Sequence, residues 1–116
     1  MKLFMMNKLH ATRPEVVGKR LEITRIALGF QSRREFYAPV GLGESATSMW
    51  ESGDRFPRVQ HVVLLCKEYG LTLDWIYRGV LSSLPHRTAM LIRSTISTLP
   101  DGNGEALSFT VSENET

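Results

Sequence analysis

Residues 32–53 read Ser32-Arg33-Arg34-Glu35-Phe36-Tyr37-Ala38-Pro39-Val40-Gly41-Leu42-Gly43-Glu44-Ser45-Ala46-Thr47-Ser48-Met49-Trp50-Glu51-Ser52-Gly53. Ser32 followed three positions later by Glu35 is a capping box: the hydroxyl bonds the Glu35 amide and the carboxylate reaches back. A short helix therefore starts at Ser32 and buries Phe36 and Val40. Gly41 tolerates the left-handed backbone that a tight turn demands. Gly43 then leaves open the N-terminus of a further helix, about 44–51, which ends at Ser52-Gly53. On that helix Thr47 and Trp50 point inward, while Glu44, Ser45, Ser48 and Met49 project from the opposite face. Two short helices joined by Gly41-Leu42-Gly43 make a helix-turn-helix, a motif whose second helix fits a DNA major groove.

Working outward, residues 1–13 read as a loose N-terminal arm. Pro14 suits a first helical turn, and Val17, Leu21, Thr24 and Leu28 recur at helical spacing, giving a first helix at about 14–28 stopped by Gly29. Asp54 to Arg58 is a basic loop carrying Pro57. Val62, Leu65, Cys66 and Tyr69 mark a fourth, amphipathic helix closed by Gly70. Thr72 caps a short fifth helix holding Trp75 and Ile76, closed by Gly79. Ala89, Ile92, Ile96 and Leu99 define a sixth, about 86–98, between Pro85 and Pro100. Asp101-Gly102-Asn103-Gly104 reads as a turn, and Leu107, Phe109 and Val111 alternate as a strand does. A disordered tail ends the chain. The expectation is an all-α fold divided into an arm (1–13), a helix-turn-helix domain (14–80) and an extension (81–116).

At 116 residues the chain has room for one domain. Its single cysteine, Cys66, excludes an internal disulfide and a multi-cysteine zinc site. His10, His61 and His86 lie far apart without metal-ligand spacing, so neither metal nor cofactor is expected. His61 and His86 read as surface residues, Cys66 as a small core residue, and Trp50 and Trp75 as core. There is no apolar run near the roughly 20 residues of a membrane span, and the first residues make too short an apolar stretch for a signal peptide. A cytoplasmic protein is expected. No nucleophile stands with a matched base, and no lysine follows Lys67 to serve a Ser–Lys pair; an enzyme is not expected.

Charge is unevenly placed. Residues 1–58 hold ten Lys/Arg and six Asp/Glu, a net +4, and residues 59–116 hold four and six, a net −2. Positive charge thus sits in the half that carries the helix-turn-helix, as a phosphate-facing surface requires.

Val17-Gly18-Lys19-Arg20-Leu21, Arg25, Leu28-Gly29, Phe36, Gly41, Glu51-Ser52-Gly53, Pro57 and Leu71-Thr72-Leu73-Asp74-Trp75-Ile76-Tyr77-Arg78-Gly79 together resemble the Xre family, the lambda repressor-like DNA-binding domains, over about residues 15–79. The resemblance implies a five-helix bundle, here with an extra C-terminal helix and tail. It also implies a transcriptional regulator, a repressor, that binds double-stranded DNA as a homodimer. By position, Arg33 would clamp a phosphate beside the amides of the second helix. Glu44, Ser45 and Met49 would read bases, and Arg58 would sit near the backbone or minor groove. Arg34, Ser48 and Arg55 complete the candidate DNA-binding set. Arg25 and Glu51 would form a partly buried ion pair tying the first helix to the third.

Three residues depart from the family: Tyr37 where it keeps a small residue, Pro39 late in the second helix, and Thr47 for an aliphatic one. They are expected to open the angle between the helices or weaken groove insertion. That leaves an alternative on the same fold, a protein-interaction module of adaptor or antitoxin type. Lys19 and Arg20 read first as solvated charges and second as phosphate contacts. The sixth helix either dimerises the chain or folds back on its own bundle.

Overall fold

Pro14 opens α1 (Pro14–Ala27), where a missing amide costs nothing because first-turn amides have no intrahelical acceptor. The structure, a computed structural model, describes residues 12–99. The arm up to residue 11, the turn at 101–104, the strand Leu107–Val111 and the tail lie outside the described residues. α2 (Arg33–Tyr37) starts on Ser32, whose hydroxyl accepts the Glu35 amide at 3.1 Å. After one turn it tightens into a 3-10 turn, Ala38–Val40. Pro39 has no amide for an i−4 carbonyl and its ring crowds that position, so the α-helix stops short of Val40. Gly41, at φ 78°, then reverses the chain into α3 (Glu44–Ser52).

α4 (Val59–Tyr69) follows the loop, as expected. The expected fifth helix is a single π turn, Asp74–Arg78, with Thr72 Oγ1 accepting the Trp75 amide at 3.0 Å. A 3-10 turn at Leu81–Ser83 leads to α5 (His86–Ile96). Every regular element among the described residues is helical, and no described helix is long and apolar enough to cross a membrane.

α1 is the central helix, in contact with α3, α5 and the π turn. Val17, Leu21, Phe36, Val62, Leu65, Trp75, Ile76 and Ile92 are wholly buried around it. Trp75 lies in this core, as expected. Its indole N–H donates to Thr24 Oγ1 at 2.9 Å, and that hydroxyl donates to the Arg20 carbonyl at 2.6 Å. Arg20 is neither a solvated charge nor a surface cation for phosphate. It is fully buried, with Nη1 donating to the Ile76 carbonyl at 3.0 Å and its guanidinium 5.9 Å from the Trp75 ring centre. Burial pushes it down to about 10, so it remains charged at neutral pH. Helical spacing carried the signal, since Arg20 lies three positions after Val17 and four before Thr24 on the apolar face, whereas Lys19 reaches solvent and pairs with Glu22 at 3.0 Å.

Of the two readings of the C-terminal helix, folding back describes its apolar stripe. Ile92 is fully buried, and Ala89, Ile96 and Leu99 are partly buried against the chain's own core. Met90 and Leu91 stay exposed on the other side.

Candidate nucleic-acid interface

α3 is held from behind by three layers of contact. Thr47 and Trp50 face the core at 0% and 4% exposure. A hydroxyl in that slot strands nothing, because Thr47 Oγ1 donates back to the Gly43 carbonyl at 3.0 Å. Trp50 meets Tyr37 edge-on at 6.0 Å and stacks on His61 at 5.7 Å. His61 is therefore not the surface residue expected: it is half-buried, and its Nδ1 is buried with no hydrogen-bond partner.

The ion pair implied by position is present and bidentate. Arg25 Nε lies 3.0 Å from Glu51 Oε2 and Nη2 lies 3.1 Å from Oε1, with both side chains under a tenth exposed. The remaining Arg25 donor, Nη1, goes to the carbonyls of Phe30 and Gln31 at 2.9 and 2.7 Å. One guanidinium thus joins α1, α3 and the segment leading into α2.

Tyr37 does not act as a wedge here. It is 1% exposed, packs edge-on against Phe36 at 4.8 Å, and donates its hydroxyl to Glu51 Oε2 at 2.8 Å. Burial first, then the Glu51 charge and the hydrogen bond to it, push the phenol far above its ordinary range, so it stays a donor. Read from sequence, its bulk counted and its hydroxyl did not. A polar tip fourteen positions before a buried carboxylate was the available signal. Tyr37→Phe keeps the ring and removes one donor from Glu51, leaving Arg25 in place. The expected loss is about 1.5 kcal/mol, read as a lower midpoint in urea; an unchanged midpoint would mean the bond contributes nothing.

Pro39 is also accommodated. The Leu42 amide reaches the Tyr37 carbonyl at 3.2 Å. The Phe36 carbonyl, to which Pro39 has no amide to donate in a 3-10 turn, accepts the Tyr69 hydroxyl at 2.6 Å. Tyr69 and Phe36 stack at 4.5 Å, so one aromatic neighbour supplies both packing and the missing donor.

The outward face of α3 carries Glu44, Ser45 and Met49 exposed and Ser48 half-buried. Arg34 on α2, and Arg55 and Arg58 in the loop after α3, are exposed. That loop is anchored at both ends. The Asp54 and Arg55 amides donate to the Met49 carbonyl at 2.9 and 3.2 Å, and the carbonyl of buried Pro57 accepts the Tyr77 hydroxyl at 2.7 Å. Between the two arginines Phe56 is 48% exposed, a position that sequence spacing did not single out. Arg33 differs from the other cations. It is half-buried, its Nε is enclosed without a partner, and its charge is felt at the Tyr37 phenol.

Among the described residues no group of three or more His, Cys, Asp or Glu could hold a metal ion. The chain matches no family model, no curated protein sequence and no solved structure.

Proposed function

We propose that this chain is a sequence-specific duplex DNA-binding transcriptional regulator, a repressor acting as a homodimer on a lambda repressor-like helix-turn-helix fold. One observation carries the reading. α3 presents Glu44, Ser45 and Met49 outward while its inner face is fixed by Thr47, Trp50 and the Arg25–Glu51–Tyr37 cluster. A helix supported rigidly from behind and exposed along one face suits a major groove about 12 Å wide. Exposed Arg34, Arg55 and Arg58 on the flanking segments suit the phosphates on either side. Two such helices would meet half-sites about one helical turn apart, and occupying a promoter would be enough to repress it. Arg33, partly enclosed, fits a phosphate contact less well than the three exposed arginines.

Arg55→Ala with Arg58→Ala tests this. Binding to many duplex sequences is expected to weaken together. The slope of log K against log salt should shrink by roughly 0.9 for each phosphate no longer neutralised. Fluorescence anisotropy across a salt series reads both. A slope identical to that of the unaltered protein would remove the two arginines from the interface. Failure of the unaltered protein to bind any duplex at low salt would overturn the regulator reading.

A second reading, an interaction module on the same fold, is favoured by apolar exposure in the same region. Met49, Phe56 and Val59 are 39%, 48% and 53% exposed on α3, the loop and the start of α4. Under that reading α3 would contact a protein partner, and the arginine pair would leave binding unchanged.

A further inference from the structure

We infer that α3 reads a cytosine, through its N4 amino group, at the position opposite Glu44 in each half-site. This rests on the regulator reading above and concerns which base edge that site selects.

Few polar groups on α3 are left to meet a base. Glu51, its other carboxylate, is buried and taken by Arg25 and Tyr37. The Thr47 hydroxyl is buried and donates back to the helix at the Gly43 carbonyl. The Ser52 hydroxyl is held at the far end of the helix, 3.1 Å from the Met49 carbonyl and 3.0 Å from Asp54 Oδ2. No lysine or arginine occurs between Glu44 and Ser52. What remains outward is the Glu44 carboxylate, the hydroxyls of Ser45 and half-buried Ser48, and the apolar tip of Met49. Glu44 is exposed, and its carboxylate makes no hydrogen bond or ion pair among the described residues; only its backbone carbonyl is engaged, accepting from Thr47 Oγ1 at 3.3 Å.

An ionised carboxylate only accepts. Facing guanine it meets the N7 and O6 acceptors, and facing thymine it meets O4; both contacts are repulsive. Facing adenine it meets the N6 donor but also N7 alongside. Cytosine alone presents an amino donor in the major groove with no acceptor on its own edge, the neighbouring O6 belonging to the paired guanine. A negative charge on a helix otherwise short of donors therefore works chiefly by rejecting the other three bases.

The bland account is that Glu44 merely favours the positive end of α3. That account predicts a change in thermal stability and none in base preference.

The experiment selects binding sites from random duplex DNA with the full chain, and again with Glu44→Gln. The substitution removes the charge, keeps the shape, and adds a donor beside the acceptor, the pattern that matches adenine N6 and N7. The unaltered protein is expected to prefer cytosine at one position per half-site by roughly ten- to a hundredfold. With Glu44→Gln that preference should move to adenine while the other positions stay. Sites selected with no cytosine position, or a cytosine position unmoved by Glu44→Gln, would overturn the inference and leave the regulator reading standing. No enrichment of any duplex by the unaltered protein would overturn both.

Discussion

Arg25→Ala is expected to cost about 3–5 kcal/mol of folding stability, because it strands a buried carboxylate. Glu51 is under a tenth exposed and takes both its charged hydrogen bonds from Arg25; only the Tyr37 hydroxyl would remain. The same deletion frees the Phe30 and Gln31 carbonyls, so the turn into α2 loses its anchor together with α3. A domain of this size is held by about 5–15 kcal/mol in total. At about 4–8 °C per kcal/mol, the thermal midpoint should fall by well over ten degrees. Arg25→Lys should recover little of this, since one ammonium cannot span two carboxylate oxygens and two carbonyls in that planar arrangement.

The origin of the loss can be tested separately from its size. Replacing both partners, Arg25→Met with Glu51→Leu, removes the stranded charge and fills the space with apolar atoms. Such pairs are often neutral against the original ion pair. The double variant is therefore expected to be more stable than Arg25→Ala. Because Glu51→Leu takes away the acceptor of the buried Tyr37 hydroxyl, Tyr37→Phe is added to the pair. If that triple variant is no better than Arg25→Ala, the loss comes from packing or from the two carbonyls, and Glu51 is not the cause. Site preference on DNA, measured where the protein remains folded, should change much less than stability does.

Much of this arrangement was legible in the chain because its signals are local. Ser32 and Glu35 placed the start of α2, and Gly41 and Gly53 placed the ends of the α2 segment and of α3, both left-handed as are Gly29, Gly70 and Gly79. The stripe on α5 followed from periodicity, and the burial of the tryptophans from the general tendency of large aromatic side chains to lie inside. What sequence could not give is the identity of a neighbour. Spacing puts Arg20 on the apolar face of α1, but the Ile76 carbonyl and Trp75 ring that receive its guanidinium lie far along the chain. Tyr37 looked disruptive because its size is written in the sequence and its partner is not. Pro39 likewise carries a visible cost, while the Tyr69 hydroxyl that offsets it sits thirty-three residues away from Phe36. The exposed faces of Glu44, Ser45 and Met49 follow from helical spacing, but the partial burial of Arg33, with its Nε enclosed, is not something spacing encodes.

Gly18→Ala should destabilise the chain by about 3 kcal/mol, and the sign of the effect is itself informative. Alanine is the better helix former by about 1 kcal/mol, so on propensity alone this change inside α1 would stabilise. The obstacle is across the helix pair. A Cβ at Gly18 would overlap the Trp50 carbonyl oxygen and lie 3.1 Å from that of Glu51. Both atoms belong to the backbone of α3, which cannot rotate aside as a side chain would. α1 and α3 must therefore separate, and the separation bears on the Arg25–Glu51 bonds, which at 3.0 and 3.1 Å already stand in the longer half of the hydrogen-bond range. Gly18 and Arg25 thus serve one seam, and their losses should not add. In a double-mutant cycle the combined variant is expected to lose at least about 1 kcal/mol less than the sum of the two, because a seam already opened by Cβ has less ion pair left to lose. Additivity within about 0.5 kcal/mol would make the two contacts independent. A gain in stability from Gly18→Ala would mean that α1 and α3 are not in close contact at all, and the support behind the reading helix would have to be sought elsewhere.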